Sequence, residues 1–143
     1  MPYDPSAVHY ILALDYGNAR IGVAIASSFA RLPRPLTTLA NTESVFTEIA
    51  DLVKRESVGL VVVGLPRTLN GGYSQQTIAA EEFAQRLAQH IDVSIEMADE
   101  TLTSVDAEAA LAGKKHDKGA IDALAATYIL ERYFSEHPRQ EVL

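Results

Sequence analysis

The chain has no cysteine. Disulfides and thiolate metal sites are thereby excluded, and the composition fits a reducing cytoplasm. Positive charge is scarce: 12 Lys and Arg stand against 19 Asp and Glu, a formal net charge of −7. That balance argues against a general nucleic-acid coat, because phosphate binding is driven mainly by clustered Lys and Arg. A local basic patch remains compatible with it, and an acidic excess can come from a metal site. Long apolar runs are also missing. The most apolar segment, VGLVVVGLP from Val58 to Pro66, is far shorter than the ~20 residues that span a bilayer. The opening MPYDPSAVHY lacks the basic region and long apolar run of a secretory signal, so a protein with no membrane association is expected. No internal repeat, low-complexity tract or dividing linker is visible. The histidines, His9, His90, His116 and His137, show no metal-ligand spacing. The glycines of DYGNARIG do not form a P-loop, since G-x-x-x-x-G-K-[ST] is absent and the segment leads into a strand.

What is present is ordinary globular composition, 48% hydrophobic and 22% charged over 143 residues, which reads as a single domain spanning the chain. An ordered core over about residues 9–135 with short flexible tails is expected. HYILAL, from His9 to Leu14, reads as a strand broken by Asp15-Tyr16-Gly17-Asn18-Ala19, after which RIGVAIAS reads as its hairpin partner. RLPRPLTTL carries Pro33 and Pro35, so any strand there lies at an edge or begins after them. Val45, Ile49, Leu52 and Val53 fall at helical spacing within Glu43 to Arg55. VGLVVVGLP has the profile of a strand buried on both faces. After the polar loop RTLNGGYS, a helix is predicted from about Gln75 to His90 with Ile78, Phe83, Ala84 and Leu87 inward. SIEMADE reads as a further strand. Thr103 to Leu111 reads as a short helix opened by a Thr103/Asp106 capping box, and Lys118 to Leu130 as the start of a terminal helix. This order implies an α/β fold, a mixed sheet with helices on both faces. In such sheets ligands usually sit beyond the strand ends.

Three acids fall there. Asp15 ends the first strand, Glu100 the last, and Asp122 opens a helix, KGAIDALAATYIL, that is otherwise apolar or small. A carboxylate on such a helix costs free energy unless hydrogen bonds, a cation or a metal offset its lost hydration. Placement in the first turn, where the helix dipole contributes about 0.3–1 kcal/mol, is the simplest offset for Asp122. Gathered carboxylates instead need a counter-charge, and a pair of Mg²⁺ ions fits best, since Mg²⁺ prefers oxygen ligands together with substrate phosphate. Two such ions activate a water and stabilise the leaving oxygen in phosphodiester cleavage. Asp15 also reads as a turn residue before Gly17. Asp99 and Glu100, being adjacent, point to opposite faces of a regular strand, and alternation from Ile95 and Met97 leaves open which of them faces a metal.

The stretches LDYGNARIGVAIAS, VVVGLPRTLNG, DETLTS and KGAIDALAATYILERY, in that order from about Ile11 to Phe134, resemble the YqgF family, also called RuvX, of bacterial Holliday junction resolvases and pre-16S ribosomal RNA nucleases. The resemblance implies an RNase H-like fold: a mixed five-stranded sheet, the first three strands antiparallel and the rest parallel, with helices on both faces. It implies metal-dependent hydrolysis of phosphodiester bonds in a structured nucleic acid, with Asp15, Glu100 and Asp122 as catalytic residues and as ligands of Mg²⁺ or Mn²⁺. It thus selects Glu100 over Asp99, and it sets Arg20 beside the entrance. Ala19 stands where a basic residue is common in the family, and Thr101 where an Arg is common, which lowers the expected grip on phosphate. KKHDK upstream of Asp122 compensates, so Lys114, Lys115 and Lys118, with Arg20, are the expected nucleic-acid contacts. His116 is a candidate for proton transfer, although a loop histidine is more often only solvated. Arg31, Arg34 and Arg67 read as ordinary surface.

The expected function is 5′-end processing of pre-16S rRNA in the cytoplasm, in a ribosome-assembly context, by a monomer or homodimer. Branched DNA is the alternative substrate. Two rival classes stand beside it: a nucleic-acid or ribosome-assembly binding module that has lost the chemistry, and a sugar-kinase or actin-like phosphate-binding fold. The last of these pairs two such domains, whereas this chain holds one.

Overall fold

A computed structural model describes residues 8–65, 74–99 and 118–138, with side chains of the last segment described from Asp122 onward. Five strands form one sheet in the order β3-β2-β1-β4-β5. They are β1 (Tyr10–Tyr16), β2 (Arg20–Ser27), β3 (Arg34–Ala40), β4 (Val58–Leu65) and β5 (Ser94–Asp99). β1 pairs antiparallel with β2, and β2 antiparallel with β3. β1 pairs parallel with β4, and β4 parallel with β5. This is the RNase H-like sheet expected, antiparallel through three strands and parallel beyond.

Among the described residues two helices cover one face, α1 (Val45–Arg55) and α2 (Gln75–Leu87), and α3 (Lys118–Glu136) lies on the other. The sequence of β2 shows why the two faces differ. In Ile21-Gly22-Val23-Ala24-Ile25-Ala26, successive side chains alternate between faces. Ile21, Val23 and Ile25 join Leu12, Leu14, Val61 and Val63 under α1 and α2. Ala24 and Ala26 join Ala13 and Ala98 beneath Ala126, Ile129, Leu130 and Tyr133 of α3. Large residues hold α1 and α2 at ordinary packing distance, while the small ones let α3 settle close to the β2 backbone. Burial of Ile129 and Leu130 contributes about 1.5–3 kcal/mol each to holding it there.

Pro35 lies in β3 at the sheet edge, where a missing N–H is tolerated. In α1, Val45, Ile49, Leu52 and Val53 are buried as their spacing predicts, with Phe46 added. In α2 one expectation fails: Ile78 is 51% exposed. The buried stripe is Thr77, Ala80, Phe83, Ala84 and Leu87, and Ile78, nine positions before Leu87, lies on the opposite side of a helix that turns 3.6 residues at a time. The stripe is set by the cap. The Ser74 hydroxyl accepts from the Thr77 N–H at 3.2 Å and the Thr77 hydroxyl accepts from the Ser74 N–H at 3.0 Å, which draws Thr77 inward. α2 also stops at Leu87, short of His90. The predicted loop RTLNGGYS, apart from Ser74, and the predicted helix Thr103–Leu111 lie outside the described residues.

Candidate active site

The carboxyl ends of β1, β4 and β5 lie side by side because these three strands are mutually parallel and adjacent. Asp15 sits at that end of β1. It is not a turn residue: it continues the strand, opposite Gly22 of β2, and is only 8% exposed. Ile11 and Ala13 face α3, so alternation puts the Asp15 carboxylate on the α3 side as well.

Asp122 arrives at the same corner from the helix. It lies one turn before Ala126 and two turns before Ile129, and so continues the stripe that packs on the sheet. It is the fifth residue of α3, whose first turn holds no acid, so the first-turn dipole reading fails; that effect fades within a turn. What meets the carboxylate is Arg20: its Nε donates to Asp122 Oδ2 at 2.8 Å, with side chains 40% and 25% exposed.

Gly22 ties the two acids together. A methyl group there would collide with the backbone carbonyl of Asp122 and come within 3.0 Å of the Ala123 nitrogen. The α3 backbone therefore rests directly on the residue that pairs with Asp15. No side chain stands between them at that level of β2, which is why glycine is required: the demand is for space rather than for an unusual φ.

On β5, Ala98 is buried against α3, whereas Ile95 packs on the α1/α2 side. Asp99 follows the parity of Ile95, so it does not share the face of Asp15. Glu100, Lys114 and Lys115 lie outside the described residues, as do His116, Arg67 and Thr101. Lys118 is the first residue of α3. Arg31 is committed elsewhere, donating from Nη1 to the His137 carbonyl at 2.7 Å and lying over the Phe134 ring at 4.8 Å. A cleft of about 380 Å³ opens on the opposite side of the sheet, lined by Tyr16, Asn41, Thr42, Phe46, Phe83 and Arg86 among others. Tyr16 follows Asp15 in sequence but alternation turns its ring into that cleft, away from the acids.

The profile of the RuvX family, described as Holliday junction resolvase, matches residues 9–136. The chain belongs to the RuvX family. It is therefore a member of a nuclease family, hydrolases acting on nucleic acid. Relatives named "Putative pre-16S rRNA nuclease" match it along most of its length. The protein of Sulfurihydrogenibium sp. is 42% identical over 127 residues, covering 86% of this chain and 88% of its own. That of Chloroflexus aggregans is 44% identical over 129 residues, covering 86% and 91%. That of Shewanella oneidensis is 36% identical over 133 residues, covering 89% and 94%. Among solved structures, Thermus thermophilus RuvC aligns over 90% of this chain and 96% of its own with a TM-score of 0.48 and 12% identity, too loose a likeness for any residue to be carried across.

The hairpin is legible in the sequence, although its first strand runs on through Asp15 to Tyr16 rather than breaking after Leu14. The part played by Gly22 was missed, and the signal that could have revealed it is the alternation of large and small residues in IGVAIA. Among the described residues no helix is long and apolar enough to cross a membrane.

Proposed function

We propose that this protein is a divalent-metal-dependent nuclease that trims the 5′ end of precursor 16S ribosomal RNA in the cytoplasm. The observation that carries the reading is the placement of Asp122 on Gly22, the strand partner of Asp15, which brings two carboxylates to the carboxyl end of three parallel strands. The names of the relatives favour ribosomal RNA as the substrate.

The donor set fits a hard cation. It consists of oxygen ligands only, one of them on a nearly buried residue, and hard cations such as Mg²⁺ or Mn²⁺ take carboxylates together with phosphate oxygens. Among the described residues no group of three metal-ligating side chains gathers. Glu100, the third proposed ligand, would follow Ala98 onto the α3 side if the alternation of β5 continued through it. In this reading Asp15 and Asp122 hold the metal and Glu100 holds it or orients the attacking water. A bound divalent pair supplies an activated water and charge stabilisation for the leaving oxygen. Arg20, Lys114, Lys115 and Lys118 hold the phosphates on either side.

The family description supports a second substrate, a four-way DNA junction. Two-fold cutting of a junction calls for a homodimer, whereas end trimming needs only a monomer. The test is cleavage of a precursor 16S fragment beside a synthetic junction, in Mg²⁺ and in Mn²⁺, by wild type, Asp15→Asn and Asp122→Asn. Loss of cleavage in both variants with the fold retained is expected. Full activity in both would defeat the assignment, and RNA binding without cleavage on either substrate would mark a binding module.

A further inference from the structure

Arg20 is assigned above to phosphate contact, yet it spends its one directed hydrogen bond on a proposed metal ligand. Its Nε donates to Asp122 Oδ2 at 2.8 Å. Among the described residues Nε is the only guanidinium nitrogen of Arg20 in a hydrogen bond, so the Nη edge is presented elsewhere, on a side chain 40% exposed. The Asp122 backbone is held against Gly22 and its side chain is short, whereas Arg20 reaches it from the first residue of β2 on a longer and more exposed side chain. The mobile partner is the arginine.

We propose that Arg20 is an electrostatic gate that couples metal binding to substrate binding. This rests on the metal-nuclease reading above. In the nucleic-acid-free protein Arg20 serves as the counter-charge of Asp122, and its positive charge opposes a divalent cation at the same carboxylate. A substrate phosphate, matched by the planar guanidinium and its remaining donors, draws Arg20 outward and leaves Asp122 to the metal. Metal and nucleic acid then each raise the other's affinity, as reciprocal linkage requires. Arg20 is in this respect a positioning residue, since it acts through Asp122.

The test is calorimetric titration of Mn²⁺ into wild type, Arg20→Ala, Arg20→Gln, Arg20→Lys and Asp122→Asn without nucleic acid, with thermal melts in EDTA to verify the fold. Removing the charge is expected to tighten Mn²⁺ binding about three- to ten-fold in the Ala and Gln variants, since the competing, half-exposed ion pair and its repulsion of the metal are both gone. Lys keeps a cation against Asp122 and is expected to bind Mn²⁺ as wild type does. In parallel, the affinity for an RNA hairpin is compared in Ca²⁺ and in EDTA; the ratio should shrink in Arg20→Ala relative to wild type. If the folded Ala and Gln variants bind Mn²⁺ no more tightly than wild type, Arg20 is only a strut for Asp122 and the gate is overturned. If Asp122→Asn binds Mn²⁺ as wild type does, or if wild type, Arg20→Ala and Arg20→Gln all bind none, the metal reading itself has failed, and that outcome is distinct from failure of the gate alone.

Discussion

Replacing Gly22 by Ala tests the placement on which the site depends. The added methyl would fall on the Asp122 carbonyl and 3.0 Å from the Ala123 nitrogen. Both are backbone atoms of a helix, so no flexible side-chain end can swing aside; the start of α3 must lift from the sheet by about 1 Å. Overpacking of this kind costs about 1–3 kcal/mol, and the backbone collision places this case toward the upper end. For a chain of this length that is a fall in Tm on the order of 5–12 °C. Folded domains hold about 5–15 kcal/mol in reserve, so the variant should remain folded at 25 °C. Its activity should nevertheless fall on the order of 100-fold, the usual effect of misplacing a catalytic group by about 1 Å. Thermal melts followed by circular dichroism, beside single-turnover cleavage of a precursor 16S fragment at 25 °C, separate the two effects. A Gly22→Ala protein with wild-type Tm and wild-type cleavage would refute the close contact between α3 and β2 and with it the convergence of Asp15 and Asp122.

Three further outcomes are expected. Ile129→Ala, at a side chain 1% exposed on α3, should cost about 2–5 kcal/mol in urea unfolding, whereas Ile78→Ala on the outer side of α2 should stay within about 0.5 kcal/mol; equal losses would contradict the faces described. Ser74→Ala removes the acceptor of the Thr77 N–H and should cost about 1 kcal/mol, with most of it returned by Ser74→Asp. Mn²⁺ at about 100 times its dissociation constant should stabilise wild type by about 2.7 kcal/mol, an increment abolished by EDTA and by Asp15→Asn; the same increment in Asp15→Asn would show that the ion binds elsewhere.

Much of this architecture is legible in the residues themselves. The bounds of β2 and the inward face of α1 follow from periodicity alone, and the prolines of RLPRPLTTL correctly mark an edge. Failures arise where a local signal competes with a tertiary one. Asp15 before Gly17 looks like the end of a strand, because aspartate favours turns; in the structure its pairing with Gly22 carries the strand through to Tyr16. Asp122 looks like a first-turn acid because Gly119 resembles a helix boundary, but α3 begins at Lys118 and leaves Asp122 a full turn inside. Ile78 looks like a core residue because it is apolar, yet the Ser74–Thr77 cap sets the rotation of α2 against it. Convergence of the strand ends is the least legible feature, since it depends on the order β3-β2-β1-β4-β5 and strand order leaves no trace in spacing.

That order also bears on how a chain with formal net charge −7 could hold a polyanion. Under the proposed function Asp15, Glu100 and Asp122 gather an excess of negative charge at one corner of the sheet, and like charges brought together need a cation. Phosphate adds to that excess. Lysines and arginines elsewhere are outnumbered and, for exposed groups beyond a Debye length of about 8 Å at physiological salt, largely screened. Under this proposal the attraction for nucleic acid is therefore local, generated by divalent charge taken up between Asp15 and Asp122 and by the few cations proposed beside it, Arg20, Lys114, Lys115 and Lys118, rather than by a general basic surface. The acidic composition and the nuclease reading are then consistent: a surface that repels nucleic acid in general suits an enzyme whose grip is confined to the proposed metal corner and the few cations beside it.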